Sequence, residues 1–263
     1  MRWPVLLLAL WVPGAAAACQ APGGARQDAR AADLWTRQLP LNADGELDVT
    51  NTSGSIDVEG TSDPGVQVVD VRAERVARAT TEQGARDLLT HITIQFLSVP
   101  DRITLETERI SGVLIGASFE VNYHVRAPAG ATIRTRTANG STTITGTTGR
   151  VVATAANGGV AGKAIAGGIE ARVSNGSINI DVAQVGRDPI DLRAANGQVR
   201  LALPEAANAN LSATSANGVI DVTGLTLDKF GDQSRRRVRG RFNAGGTPIE
   251  LNSANGNIYV TAR

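Results

Sequence analysis

The sequence predicts an all-β chain built as a parallel β-solenoid, a stack of coils of about 20 residues each. Three observations carry this. A short phrase recurs six times with Asn-Gly at its centre: Asn139-Gly140, Asn157-Gly158, Asn175-Gly176, Asn196-Gly197, Asn217-Gly218 and Asn255-Gly256. On both sides of each Asn-Gly, apolar residues alternate with polar ones, the period of a strand with one buried face. Aromatic residues make up 3% of the chain, so its core must consist of thin layers of Val, Ile, Leu, Ala and Thr, as in coils that bury their faces only against neighbours.

Aligned on the Asn, the repeats form columns. Six places before it stand Ile133, Val151, Ile169, Ile190, Leu211 and Ile249, and four before it Thr135, Ala153, Ala171, Leu192, Ala213 and Leu251. Three places after come Thr142, Val160, Ile178, Val199, Ile220 and Ile258; five after, Ile144, Gly162, Ile180, Leu201, Val222 and Val260. The charged residues fall between these columns. Successive Asn positions lie 18, 18, 21, 21 and 38 residues apart, and the last gap reads as two turns with an insertion. Residues 47–58, LDVTNTSGSIDV, fit the same register with Ser53 in place of Asn, as a seventh copy set apart from the others.

The alternative is a row of stacked β-hairpins with type I′ turns, which need φ > 0 at both Asn and Gly. A hairpin would set Arg193 opposite Arg200, a destabilising like-charge pair. The residue before each Asn is Ala or Ser, which reads as crowding at a stacked corner. Identical Asn at identical corners can bond to one another as an amide ladder. These points favour the solenoid.

Residues 1–18 read as a signal peptide: Arg2, then an apolar run over 5–12 too short to span a bilayer, then small residues. Cys19 is the only cysteine, so no intramolecular disulfide can form. Its place after Ala16-Ala17-Ala18 resembles a bacterial lipoprotein signal, which implies lipidation of Cys19, although Ala16 stands where Leu is usual. Removing Arg2 with the leader leaves 26 − 1 = 25 basic residues against 25 acidic ones. No net charge steers the remainder toward nucleic acid. Residues 19–40, rich in Ala, Gly, Arg and Asp, read as a tether.

Residues 41–130 read as an N-terminal β-rich cap with one short helix. A strand of near ten residues starts at Val66; Thr80 and Gln83 form a capping box; Ala85, Leu88, Leu89 and Ile92 give the helical stripe. Alternating runs follow at Ile92-Ile94-Phe96, Ile103-Leu105 and Phe119-Val121-Tyr123-Val125. A solenoid needs such a cap because its terminal coil exposes an apolar face and open edges. Residues 131–263 are the repeats.

The order of these features resembles the bacterial DUF4097 family of adhesin-like proteins: signal peptide, early SGSIDV copy, strand, amphipathic helix, the VNYHVRAPAGATIRTRTANGS passage and serial NG-x-I-x-V repeats. The V-x-A-P-x-G-A-x-[IL] stretch over 125–133, leading into the first Asn-Gly, is its most specific part. The resemblance implies an envelope-associated β-solenoid with an adhesin-like role and no established catalytic residues. A fold alone carries no function.

Few residues in the chain are of the types that carry chemistry. His91 and His124 are the only histidines, and both read as surface residues with no second His or Cys to complete a metal shell. No GxSxG, HExxH, P-loop or EF-hand spacing occurs, and no cofactor is expected. Glu170, Asp191 and Glu250 share one outward column, which invites comparison with the ~5 Å carboxylate pair of retaining glycosidases. Arg136, Arg172 and Arg193 stand beside that column, and sugar-stacking aromatics are missing from it. The run over 235–242 holds Arg235, Arg236, Arg237, Arg239 and Arg241, a candidate patch for anionic envelope polymers or lipid head groups, or else a charged hairpin balanced by Asp228 and Asp232.

The sequence therefore predicts an exported, non-catalytic, membrane-anchored lipoprotein of the bacterial envelope, in the periplasm or on the outer membrane, that binds an envelope polymer, a protein or its own kind. The alternatives are a polysaccharide-acting enzyme on a β-helix scaffold and a purely structural envelope component.

Overall fold

In the computed structural model the described residues are 28–63, 67–108 and 116–263. They form an all-β molecule of two large mixed sheets with one short helix. Seven segments share one course, a strand, a corner and a second strand: Glu46–Ser53 with Ile56–Thr61, Thr132–Asn139 with Thr142–Thr145, Val151–Asn157 with Val160–Ile165, Ile169–Asn175 with Ile178–Val182, Ile190–Asn196 with Val199–Leu203, Ala209–Asn217 with Ile220–Thr223, and Thr247–Asn255 with Ile258–Ala262. Each segment is called here a coil and identified by its corner residue.

The strand before each corner enters the first sheet and the strand after it enters the second. The two never pair with each other, so the chain does not form hairpins at Asn-Gly. Within each sheet, equivalent strands run parallel and in register, as in Ile169 beside Val151 and Ile190, and Asn175 beside Asn157 and Asn196. Arg193 lies between Arg172 and Asn252 rather than against Arg200, whose neighbours are Asn179 and Tyr259.

Two expectations about order are corrected. The Ser53 coil is not set apart in space: residues 46–53 pair in register with the Asn139 coil, Ser53 beside Asn139. The last coil does not follow the fifth: the spatial order is Ser53, Asn139, Asn157, Asn175, Asn196, Asn255, Asn217 in both sheets. The coils share one alternating apolar pattern, which does not specify their order.

The inward columns form the core. Ile133, Val151, Ile169, Ile190, Leu211 and Ile249 are buried from the first sheet, and Val160, Ile178, Val199, Leu201, Ile258 and Val260 from the second. Burying each such side chain contributes about 1.5–3 kcal/mol. The core also holds a linked polar cluster: Asn51, Thr107 and Tyr123 are buried, Thr107 Oγ1 donating to Asn51 Oδ1 at 3.0 Å and lying 2.8 Å from the Tyr123 hydroxyl. The Asn51 amide in turn donates to the Val121 carbonyl at 2.8 Å.

At the N-terminal end the first sheet continues through Arg102–Thr107 and the antiparallel Ile94–Val99. The second continues through Ala117–Pro128, Val68–Ala79 and Ala29–Pro40. The expected tether over 19–40 is thus corrected in its second half: residues 29–40 pair one to one with residues 68–79. As an edge strand with most side chains exposed, it lacks the alternation that marks a strand in sequence. Residues 1–27, including the expected signal peptide, Cys19 and the start of the tether, lie outside the described residues, as does Val66.

Helix Glu82–Thr90 packs on the Val68–Ala79 and Ala29–Pro40 strands. Its N-cap is Thr81, one residue later than the expected Thr80, because the Thr81 hydroxyl accepts the Gly84 N–H at 3.0 Å. Ala85, Leu88 and Ile92 are buried and Leu89 is partly buried. At the other end Arg237–Phe242 lies antiparallel on the Asn217 coil, with Leu227–Lys229 outside it.

Candidate functional site

The corners form one continuous edge along the stack. Each Asn side chain donates to the Oδ1 of its neighbour: Asn157 to Asn139 at 3.1 Å, Asn175 to Asn157 at 3.1 Å, Asn196 to Asn175 at 3.0 Å, Asn255 to Asn196 at 2.8 Å and Asn217 to Asn255 at 2.9 Å. Asn139 closes the row on the Thr52 carbonyl at 3.3 Å. An amide carries two N–H donors, so one N–H of every Asn is free of the ladder.

The glycines are set by the same stacking. Gly140, Gly158, Gly176, Gly197 and Gly256 hold φ between 144° and 157°, while the corner Asn residues are not at positive φ. A Cβ on Gly197 would lie 1.8 Å from the Gly176 carbonyl oxygen, and one on Gly158 would lie 1.9 Å from that of Gly140. Gly218, at the terminal coil, has no positive φ, yet its Cβ would still lie 2.2 Å from the Gly256 carbonyl oxygen.

The small residue before each Asn has a different setting from the one expected. Crowding does not explain it: Ser174, Ala195, Ala216 and Ala254 are exposed, and Ala138 and Ala156 half-buried. Their side chains point outward from the first sheet. They form the floor of a shallow groove along the stack, bounded on one side by the Asn row and on the other by Arg136, Thr154, Arg172, Arg193, Asn252 and Thr214, which are consecutive in register. Two adjoining depressions of about 460 and 560 Å³ occupy the groove and share Thr154 and Ser174. The fold does not demand a small side chain on this floor, since the next column stacks arginines at the same spacing.

Beyond the arginines lies the acidic column. Glu170, Asp191 and Glu250 are consecutive neighbours in register. Arginines neutralise it: Arg172 binds Glu170, Arg150 reaches Glu170 at 3.2 Å, and Arg193 lies 2.8 Å from Asp191 and 3.5 Å from Glu250. Bonding to Asp191 raises the Arg193 guanidinium above its usual value. This arrangement forms a charge-balanced wall, and each carboxylate that would serve as nucleophile or acid is held by a guanidinium.

The arginine run is not a free hairpin. The Arg236 carbonyl accepts the Ser215 N–H and the Arg235 carbonyl the Ile220 N–H, both at 2.9 Å, while Val238 and Phe242 are buried. Arg241 pairs with Asp228 at 2.8 Å. The side chains of Arg235, Arg236, Arg237, Arg239 and Arg241 remain exposed on a segment that covers the last coil in the first sheet. His124 lies 3.4 Å from Asp57 on the outer face of the second sheet, and His91 caps the helix with its ring against the Asp87 carbonyl. Among the described residues no group of three His, Cys, Asp or Glu is placed to hold a metal, and no helix is long and apolar enough to cross a membrane.

The family model described as Toastrack DUF4097 matches residues 38–261. A comparison with curated proteins gives no match. Among solved structures, a candidate cell adhesion protein from Clostridium sporogenes is similar at 9% identity and TM-score 0.46, covering 89% of this chain and 100% of its own. A candidate adhesin from Bacteroides fragilis is similar at 12% identity and TM-score 0.37, covering 88% and 97%. A candidate lipid binding protein from Parabacteroides distasonis is similar at 9% identity and TM-score 0.23, covering 88% and 97%.

Proposed function

The chain belongs to the Toastrack DUF4097 family, and from that premise we propose that it is a non-catalytic binding module of the bacterial cell envelope, built as a β-solenoid, exported by residues 1–18 and anchored through a lipid on Cys19. Its ligand is an extended polysaccharide lying in the groove along the first sheet. The observation that supports this reading is the floor of that groove. From Ala138 to Ala216 every coil places Ala or Ser there, exposed in four coils and half-buried in the Asn139 and Asn157 coils, between a row of spare amide N–H donors and a column of Arg, Thr and Asn. Parallel coils repeat this set at about 4.8 Å, a spacing that suits a polymer with one polar unit per coil. Small side chains leave room for it, and the flanking donors and acceptors would fix its register.

The charge-balanced wall of Glu170, Asp191 and Glu250 supports binding rather than hydrolysis, because its carboxylates are already partnered. The test is a glycan array probed with the chain from residue 20 onward and with Ala156→Trp/Ala195→Trp, which fills the floor without touching the core. The reading expects the parent to bind one or more linear polymers and the variant to lose that binding at an unchanged melting temperature. Equal binding by both would overturn the groove as the site.

A further inference from the structure

The Asn196 and Asn217 coils follow one another in sequence but do not touch as strands. Between them in both sheets sits the coil made by the end of the chain. Its first strand, Thr247–Asn255, is paired in parallel with Ile190–Asn196 on one side and Ala209–Asn217 on the other. Its second, Ile258–Ala262, lies between Val199–Leu203 and Ile220–Thr223. Among the described residues the Asn217 coil has no other strand partner toward the stack: its second strand pairs only with Ile258–Ala262, and its first only with Thr247–Asn255 and Arg237–Phe242. Without the C-terminal coil the Asn196 and Asn217 coils would be two strand spacings apart, about 9.6 Å, with an empty slot between them.

The link that delivers this coil is short and mostly left-handed. Phe242 and Thr247 lie on opposite sides of Ala209, so residues 243–246 cross over the start of the Asn217 coil. Three of these four residues hold positive φ: Asn243 at 49°, Gly245 at 72° and Gly246 at 137°. Asn243 is one of two non-glycine residues at positive φ among those described. It is held by its own amide, which donates to the Glu205 carbonyl at 3.0 Å and the Ala207 carbonyl at 2.8 Å.

We propose that the C-terminal coil exchanges between two copies of this chain, each inserting residues 247–262 into the slot of the other to give a reciprocal dimer. Every strand pairing of the inserted coil is the same whichever copy supplies it, and so are the bonds from Asn255 to Asn196 and from Asn217 to Asn255. Extending the link trades the left-handed turn at Asn243 for an open hinge, and a short hinge ahead of a terminal element is the setting in which that element swaps. The partner is thus a second copy, engaged through a coil that reads the repeat pattern of its neighbours.

The test uses the full chain carrying Cys19→Ser, Arg193→Cys and Asn252→Cys. Positions 193 and 252 are register neighbours in adjacent parallel strands, within reach of a disulfide. That bridge forms inside one chain in the monomer and between chains in the exchanged dimer. The protein is concentrated, warmed under reducing conditions to just below its melting temperature, cooled and separated by size. Exchange gives a dimer that oxidation converts to a covalent dimer on a non-reducing gel, while monomer oxidised before warming yields no dimer. The proposal is overturned if no dimer forms, if the dimer oxidises only to intrachain bridges, or if monomer oxidised beforehand dimerises as well as the reduced protein.

Discussion

The side-chain amide of Asn255 donates to Oδ1 of Asn196 at 2.8 Å across a sequence separation of 59 residues, while Asn217, nearer in sequence, reaches Asn196 only through Asn255. One corner residue therefore records both features that define this molecule. Its coils stack in register, and their spatial order departs from their sequence order. The same row of amides borders the groove proposed as the binding surface.

At the corners the glycine should matter more than the asparagine. Gly197→Ala places a methyl group 1.8 Å from the Gly176 carbonyl at φ 155°, so a loss of about 3 kcal/mol or more is expected from strain and overpacking. Asn196→Ala removes two exposed amide bonds and should cost about 1 kcal/mol. Denaturant melts of the two variants compare the effects directly; an equal loss in both would contradict the close approach of stacked carbonyls as the reason for glycine.

One variant should stabilise the fold. Thr135 is buried between Val49 and Ala153, and its hydroxyl has no protein partner. Thr135→Val exchanges that hydroxyl for a methyl of similar size and should raise stability by about 1 kcal/mol. A drop in melting temperature would mean that the hydroxyl is satisfied in solution.

Tyr123 links folding to alkaline pH. Burial pushes its hydroxyl up to about 12 from the ordinary 10.0. Above pH 10 the unfolded chain releases this proton while the folded chain keeps it, so the unfolded state binds fewer protons and stability falls with rising pH. About 2–3 kcal/mol, fully present below pH 10, should be lost by pH 12. Tyr123→Phe should flatten this part of the pH–stability curve, leaving Thr107 bonded to Asn51. An unchanged slope would show that Tyr123 is not the group responsible.

Much of the fold was legible because the physics of a coil is local. The columns led by Ile133 and Thr135 were readable as inward faces from period two alone, and all twelve of their members are buried. What local pattern could not carry was order. The Asn255 coil looks like a successor to the Asn217 coil because each corner has the same sequence, and only the crossing link at 243–246 places it earlier. The Ala29–Pro40 strand was hidden for the opposite reason: at an edge most of its side chains meet water, so no apolar period marks it. The groove floor was visible as Ala or Ser before each Asn, but its meaning required knowing that this position faces outward.

The proposed lipid anchor gives a cell-level expectation. Cys19→Ser should move the protein from the membrane fraction to the soluble envelope fraction, with no change in the melting temperature of the purified fold. Retention of the variant in membranes would contradict anchoring through this residue.

The most direct measurement of the stacking order is disulfide mapping on three double variants in a Cys19→Ser background, oxidised mildly and analysed by mass spectrometry. Arg193→Cys/Asn252→Cys and Thr214→Cys/Asn252→Cys each join register neighbours in parallel strands, at about the 4.8 Å spacing that disulfide geometry accepts. Arg193→Cys/Thr214→Cys spans two strand spacings, about 9.6 Å, beyond that reach. Bridges in the first two and none in the third are expected; a ready bridge between positions 193 and 214 would place the Asn217 coil directly on the Asn196 coil and contradict the insertion of the C-terminal coil between them.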